Sequence, residues 1–222
     1  MLQRIVCLAI GYVFGLFQTG FFYGKLHGID IRQKGSGNIG TTNSLRVLGK
    51  KAALIVLLGD CFKTVFAMLL AHALFGKAAP EMDNILQLYA GLGATLGHNF
   101  PFYMNFKGGK GIAVLAGMYV SVWITDTWIP FAIGFVLFFS LFFATHLVSL
   151  ASLSVSTLFF VVIVVLERIG RISVSHPAGM IELYVLAAII MVMAFFRHKE
   201  NIQRLLKGEE RKTYLAHKNK VD

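Results

Sequence analysis

Apolar residues in this chain come in long blocks. Windows of about 20 residues, the length that crosses a hydrocarbon core of roughly 30 Å, are predominantly apolar near 4–24, 52–75, 85–104, 111–125, 128–147, 149–166 and 181–196. Each block predicts a spanning helix. The run from Trp128 to Leu166 holds no Asp, Glu, Lys or Arg, and as one helix it would extend about 58 Å at roughly 1.5 Å per residue. It must fold back on itself, and the polar cluster Thr145, His146, Ser149 and Ser152 marks the turn. The pattern predicts an all-α polytopic transmembrane bundle of about seven spans, a single domain over 1–222 with a flexible basic tail at 214–222.

Composition agrees: 56% of the chain is hydrophobic and only 14% charged, against roughly a quarter charged in an average soluble domain. A soluble core cannot absorb that much apolar surface. The net charge of +10 would suit a nucleic-acid partner, but its distribution follows the membrane instead. With seven spans and the N-terminus outside, sixteen of the 21 Lys and Arg fall inside. They lie between Lys25 and Lys51, at Lys107 and Lys110, and from Arg197 to Lys220. Arg4, Lys77, Arg168 and Arg171 fall outside and Lys63 lies in a span. The positive-inside rule favours this orientation, with the C-terminus inside. The first apolar block is longer than a signal-peptide core and no small-x-small site closes it, so it reads as a retained span. Cys7 and Cys61 lie in apolar segments without metal-ligand spacing and read as packing residues.

Three polar segments then fall on one face. The first, 35–51, opens with Gly35-Ser36-Gly37-Asn38-Ile39-Gly40-Thr41-Thr42-Asn43 and carries Arg46. Such a loop can turn several N–H groups toward one anion, and Arg46 adds a bidentate fork. Ser44 to Leu48 reads as a helical turn. It is not a nucleotide loop, because Thr41 stands where the phosphate-reaching Lys would be. The second, 97–111, places His98 and Asn99 before Pro101, then Lys107-Gly108-Gly109-Lys110-Gly111, two ammonium groups among glycines that let backbone approach an anion. The third, 197–212, carries His198 and Asn201 three apart, a spacing that shares a helical face. Beyond it, Ile202, Leu205 and Leu206 form the apolar side of a surface helix. Any one segment alone fits a linker, a flanking basic turn or a lipid-binding helix; their chemistry converges on phosphate.

Asp60 and Lys63 pair at i, i+3 inside a span, where charges are functional suspects. They either orient the helix or support the first loop. Gly11-x3-Gly15, Gly20-x3-Gly24 and Gly93-x3-Gly97 read as internal helix contacts. His217 and Asp222 share the His-x4-Asp spacing of many glycerolipid acyltransferases, a chance match in the tail.

The three segments, together with Leu-Leu-Gly-Asp-Cys-Phe-Lys at 57–63, resemble the bacterial acyl-phosphate:glycerol-3-phosphate acyltransferases, small seven-span inner-membrane enzymes of phospholipid synthesis. The resemblance implies transfer of a fatty acyl group from acyl phosphate to the 1-hydroxyl of glycerol 3-phosphate, giving lysophosphatidic acid and phosphate. It implies no metal, cofactor or obligatory protein partner, and an active site facing the cytoplasm in contact with membrane lipids. Carried over by position, Ser36, Arg46, Lys107, Lys110, His198 and Asn201 are the catalytic candidates. Gly37, Asn38, Gly40, Thr41, Asn43, His98, Gly108, Gly109 and Gly111 are the substrate-binding ones. The chain departs from the family at Gln18-Thr19-Gly20, where Ser-Ile-Pro is common, and at Thr41, where Ala is. A transporter of a phosphorylated solute is the rival reading. It would set its site near the midplane on broken helices, often within an internal repeat.

Overall fold

The structure, a computed structural model, describes residues 1–172, 174 and 177–215, and the regular structure among them is entirely helical. The helices are α1 (Leu2–Gly15), α2 (Thr19–Leu26), α3 (Thr41–Leu48), α4 (Lys50–Phe75), α5 (Asp83–Asn99), α6 (Ile112–Thr125), α7 (Ile129–Thr145), α8 (Val148–Arg168), α9 (Pro177–Arg197) and α10 (Lys199–Leu206). Among the described residues four segments are long and apolar enough to cross a membrane, Leu2–Leu26, α4, α8 and α9, while Ile112–Val122 of α6 and Ile129–Thr145 (α7) are shorter apolar helices. Each apolar block of the sequence holds a helix. The block 85–104 stops early, at Asn99, because Pro101 disfavours helical backbone in the residue before it. The expected fold-back occurs at His146, which takes a left-handed φ of 60°, while the Thr145 hydroxyl accepts the Leu147 N–H at 3.1 Å. Ser149 and Ser152 belong to the first turns of α8.

α1 and α5 lie against each other along two of the three spaced-glycine pairs, Gly11 with Gly15 and Gly93 with Gly97, whereas Gly20 and Gly24 face the carbonyls of Ile39 and Ile29. A Cβ on Gly11 would sit 1.9 Å from the Ala90 carbonyl, and one on Gly93 would sit 2.1 Å from the Leu8 carbonyl. Backbone-to-backbone contact at that range leaves room for hydrogen only. The glycine spacings therefore build an intramolecular interface, and Phe159, Met68, Leu86, Met118 and Leu183 fill the core beside it. At one end of the bundle, Arg4 pairs with Glu182, which also accepts the Tyr89 hydroxyl at 2.8 Å, tying α1, α5 and α9 together.

At the other end the first span breaks between α1 and α2 without a proline. Gln18, fully buried, shares its amide protons among the carbonyls of Gly15, Gly97 and His98 at 3.1–3.2 Å. Lys63 donates to the carbonyls of Gly15 and Phe17 at 3.2 and 2.6 Å, and Thr19 donates to Asp60 at 3.0 Å. The carbonyls released by the break are thus satisfied by side chains, the condition for irregular backbone at this depth. Asp60 and Lys63 act on this break rather than on the 35–46 loop. Gln18→Ala should lower stability by roughly 1–3 kcal/mol, since it orphans buried carbonyls; thermal unfolding in detergent measures it, and a change within error would contradict the assignment.

Candidate active site

The first polar segment is held in shape by its own side chains. Gly35 and Gly37 have φ of 58° and 70°, and a Cβ on Gly35 would stand 2.3 Å from the Asn43 amide oxygen. Asn43 is buried; its oxygen accepts the Ser36 N–H at 2.9 Å while its nitrogen donates to the carbonyls of Ile31 and Lys34. Its polar atoms are spent on the loop backbone, so its contribution is to fold the loop. Asn38 accepts the Gly40 N–H at 2.9 Å, a local turn that sets Gly40 as the N-cap. Helix α3 then starts at Thr41, earlier than the turn read from Ser44. Thr41 carries a buried hydroxyl without a hydrogen-bond partner among the described residues. Arg46, one turn further, donates to the Thr213 hydroxyl at 3.0 Å.

The second segment doubles back over the end of α5. Gly108 and Gly109 donate to the carbonyls of Asn99 and His98 at 3.1 and 3.0 Å. A Cβ on Gly109 would lie 2.1 Å from His98 Nε2, so only glycine allows the strand of chain to rest on that ring. His98 is itself buried, with Nδ1 2.9 Å from the Lys63 ammonium. Arg197 clamps the outer side, donating to the carbonyls of Gly109 and Gly108 at 3.0 and 2.9 Å and lying over the Phe100 ring. The two lysines part company here. Lys107 is exposed, whereas Lys110 turns inward and donates to the Asn201 amide oxygen.

The third segment closes the site. His198 is the N-cap of α10 rather than a member of it, so His198 and Asn201 converge from the α9–α10 corner and not from one helical face. His198 Nδ1 lies 2.7 Å from the Ala194 carbonyl. A carbonyl can only accept, so the ring proton sits on Nδ1 and Nε2 keeps its lone pair. Burial, reinforced by Lys110, pushes the His198 imidazole down to about 4. Asn201 passes its amide protons to Glu210 at 2.6 Å, and Arg204 pairs with the other Glu210 oxygen at 2.8 Å. Burial also brings the Lys110 ammonium down to about 8, against the opposing pull of Glu210. The chain beyond α10 is described to residue 215. Thr213 donates to the His146 carbonyl at 2.9 Å and the Tyr214 ring packs on His146 at 4.7 Å. His217, Asp222 and the remainder of the expected tail lie outside the described residues.

All three segments open on one cavity of about 1250 Å³, above the roughly 300–1,000 Å³ of a pocket for a single small molecule. Ser36, Gly37, Asn38, Gly40, Thr41, Asn43, Arg46, His98, Lys107, Gly108, Lys110, Gly111, His198 and Asn201 all line it; Gly109 alone of the expected residues sits behind the wall, against His98. The cavity continues between α4, α6, α7 and α8 along Leu57, Leu115 and five phenylalanines of α7. It is cationic and glycine-lined at one end and apolar along the rest, a shape for an amphiphile. Three residues that the sequence did not single out belong to it. Arg197 and Glu210 lie within the third segment without having been among its candidate residues, and Ser149 looked like a turn residue. Ser149, on the cavity wall at the start of α8, has a buried hydroxyl without a hydrogen-bond partner among the described residues.

A family model described as glycerol-3-phosphate acyltransferase matches residues 5–208. The chain is 37% identical over 212 residues to a glycerol-3-phosphate acyltransferase of Macrococcus caseolyticus, covering 95% of this chain and 97% of that one. It is 35% identical over 227 residues to the protein of the same name from Exiguobacterium sibiricum, covering 100% and 99%. Among solved structures it is similar to PlsY, an integral membrane glycerol 3-phosphate acyltransferase, in its glycerol 3-phosphate form. That match has a TM-score of 0.79 and 31% identity over 95% of this chain and 96% of that one. The lysophosphatidic acid form of PlsY matches with a TM-score of 0.77.

Proposed function

This chain belongs to the glycerol-3-phosphate acyltransferase family, and from that premise we propose that it moves a fatty acyl group from acyl phosphate to the 1-hydroxyl of glycerol 3-phosphate, releasing lysophosphatidic acid and inorganic phosphate. The observation that carries the reading is the single cavity whose phosphate-handling end runs into an apolar channel. Each substrate brings a phosphate, and one also brings an alkyl chain. We place the polar end at the cytoplasmic face of a bacterial inner membrane, with seven spans, the N-terminus outside and the C-terminus inside, on the distribution of Lys and Arg.

In this reading Arg46, Lys107 and Lys110 take the two phosphates, and the backbone of 35–41 and of 110–111 approaches them closely. Neutral His198 presents the Nε2 lone pair, which accepts a hydrogen bond from a glycerol hydroxyl and leaves phosphate neutralisation to the cations. Asn201, held by Glu210 on one side and Lys110 on the other, orients that ammonium. The 1-hydroxyl oxygen attacks the acyl carbonyl, the C–O bond to phosphate breaks, and the hydroxyl proton passes to a substrate phosphate oxygen. Positioning and electrostatic stabilisation of the developing oxyanion supply the acceleration. Purified protein given acyl phosphate and glycerol 3-phosphate should release phosphate and lysophosphatidic acid in equal amounts. Absence of both products would end this reading.

The reading also fixes a pH profile. The Lys110 charge is present below about 8 and lost above it, while the substrate phosphate completes its ionisation near pH ~6. Thus kcat/KM for glycerol 3-phosphate should fall as pH rises through about 8, approaching tenfold per unit. Lys110→Arg should carry that limb upward, because guanidinium stays charged. A limb that does not move in Lys110→Arg would mean that another group titrates.

A further inference from the structure

The apolar half of the cavity follows α7 from Phe142, whose ring lies beside His146, to Phe131. That separation is about 16 Å at roughly 1.5 Å per residue, close to one hydrocarbon leaflet of ~15 Å. Tyr119 on α6 stands across its deep side. The ring is 5% exposed, donates through its hydroxyl to the Val155 carbonyl of α8 at 2.9 Å, and meets Phe159 edge-on at 5.1 Å. On its other side is Gly134 of α7, where a Cβ would lie only 3.2 Å from Tyr119 Cζ. The ring occupies the space that a side chain at 134 would fill. Three helices pin it, so it is a plug rather than a swinging side chain.

Resting on the acyl-transfer reading above, we propose that Tyr119, seated against Gly134, is the floor of the acyl channel and sets the longest fatty acyl chain the enzyme uses efficiently. An acyl chain enters this channel from lipid, which is as apolar as the channel. Each added methylene therefore gains little by transfer, and the channel cannot rank donors by burial. Length has to be read sterically, by a wall that a longer chain would overpack. Overpacking of a tight apolar site costs enough to lower a rate about tenfold or more.

The test compares full-length protein in detergent with myristoyl, palmitoyl, stearoyl and arachidoyl phosphate at saturating glycerol 3-phosphate, reading kcat/KM for each donor. Tyr119→Ala removes the floor and should raise the kcat/KM of the first donor beyond the wild-type optimum, relative to that optimum, by about tenfold. Gly134→Leu fills the channel and should move the optimum to a shorter donor. Tyr119→Phe keeps the ring and should keep the wild-type ranking. If Tyr119→Ala does not accumulate as folded protein, Tyr119→Leu and Gly134→Leu decide the matter. An unchanged ranking in the folded floor variants overturns the proposal, because the chain then leaves sideways past the half-exposed Phe135, and the acyl-transfer reading stands. Wild-type protein inactive with every donor instead removes that reading, and the floor with it.

Discussion

Arg46→Ala should lower kcat/KM by about two to three orders of magnitude, the scale of losing one preorganised donor to a developing charge. Arg46 rises from α3 into the cavity, and a guanidinium can grip a phosphate by two parallel hydrogen bonds that an ammonium cannot supply. Arg46→Lys should therefore recover only a small part of the loss. The alternative cause is structural, since Arg46 also donates to Thr213 and Thr213 docks the chain on His146. Thr213→Ala separates the two. If the arginine acts on substrate, Thr213→Ala costs far less than Arg46→Ala, and the unfolding temperature in detergent changes little in either. Equal losses in both variants would reassign Arg46 to anchoring that segment. Steady-state kinetics against each substrate in turn would further show whether the loss lies in KM or in kcat.

The helices were legible because they are written in dense apolar windows: each of the seven windows holds a helix, and among the described residues four segments are long and apolar enough to cross a membrane. The three polar segments were legible for a similar reason: they gather glycine, Asn and cations where the apolar windows are interrupted. What could not be read was how those residues divide between holding the site and facing it. Asn43 looked like a ligand and is consumed by the loop, because its amide matches three backbone groups that only the fold brings within reach. Lys107 and Lys110 have the same chemistry and the same neighbours in sequence. The start of α6 after the left-handed Gly111 turns one inward and leaves the other at the mouth. Arg197 and Glu210 act on Gly108, Gly109 and Asn201, contacts set by tertiary structure rather than by spacing. The break after α1 lacked its usual proline, and its support comes from Gln18 and from Lys63 on another helix.

That support makes Lys63 the residue whose loss should cost most in stability. Its ammonium, 5% exposed, holds Asp60 at 2.9 Å, the Gly15 and Phe17 carbonyls, and His98 Nδ1. Lys63→Met keeps the volume but leaves a buried carboxylate with the Thr19 hydroxyl at 3.0 Å and His98 Nδ1 at 3.9 Å beside it, and strips the break of its donor. Breaking a buried pair in this way costs about 3–5 kcal/mol, whereas replacing both partners by neutral groups is far milder. The double variant Asp60→Asn with Lys63→Met should accordingly be more stable than Lys63→Met alone, a coupling that a double-mutant cycle on detergent unfolding reads directly. If the two substitutions simply add, the pair is not the brace of the break. Activity should follow stability in this series although Lys63 is not part of the cavity wall. His98 joins the two: its ring faces Lys63, its carbonyl accepts the Gly109 N–H, and Gly109 rests on its other ring nitrogen. Loosening the break therefore loosens the backbone that approaches phosphate, and Asp60→Asn with Lys63→Met should restore turnover only as far as it restores the position of that ring.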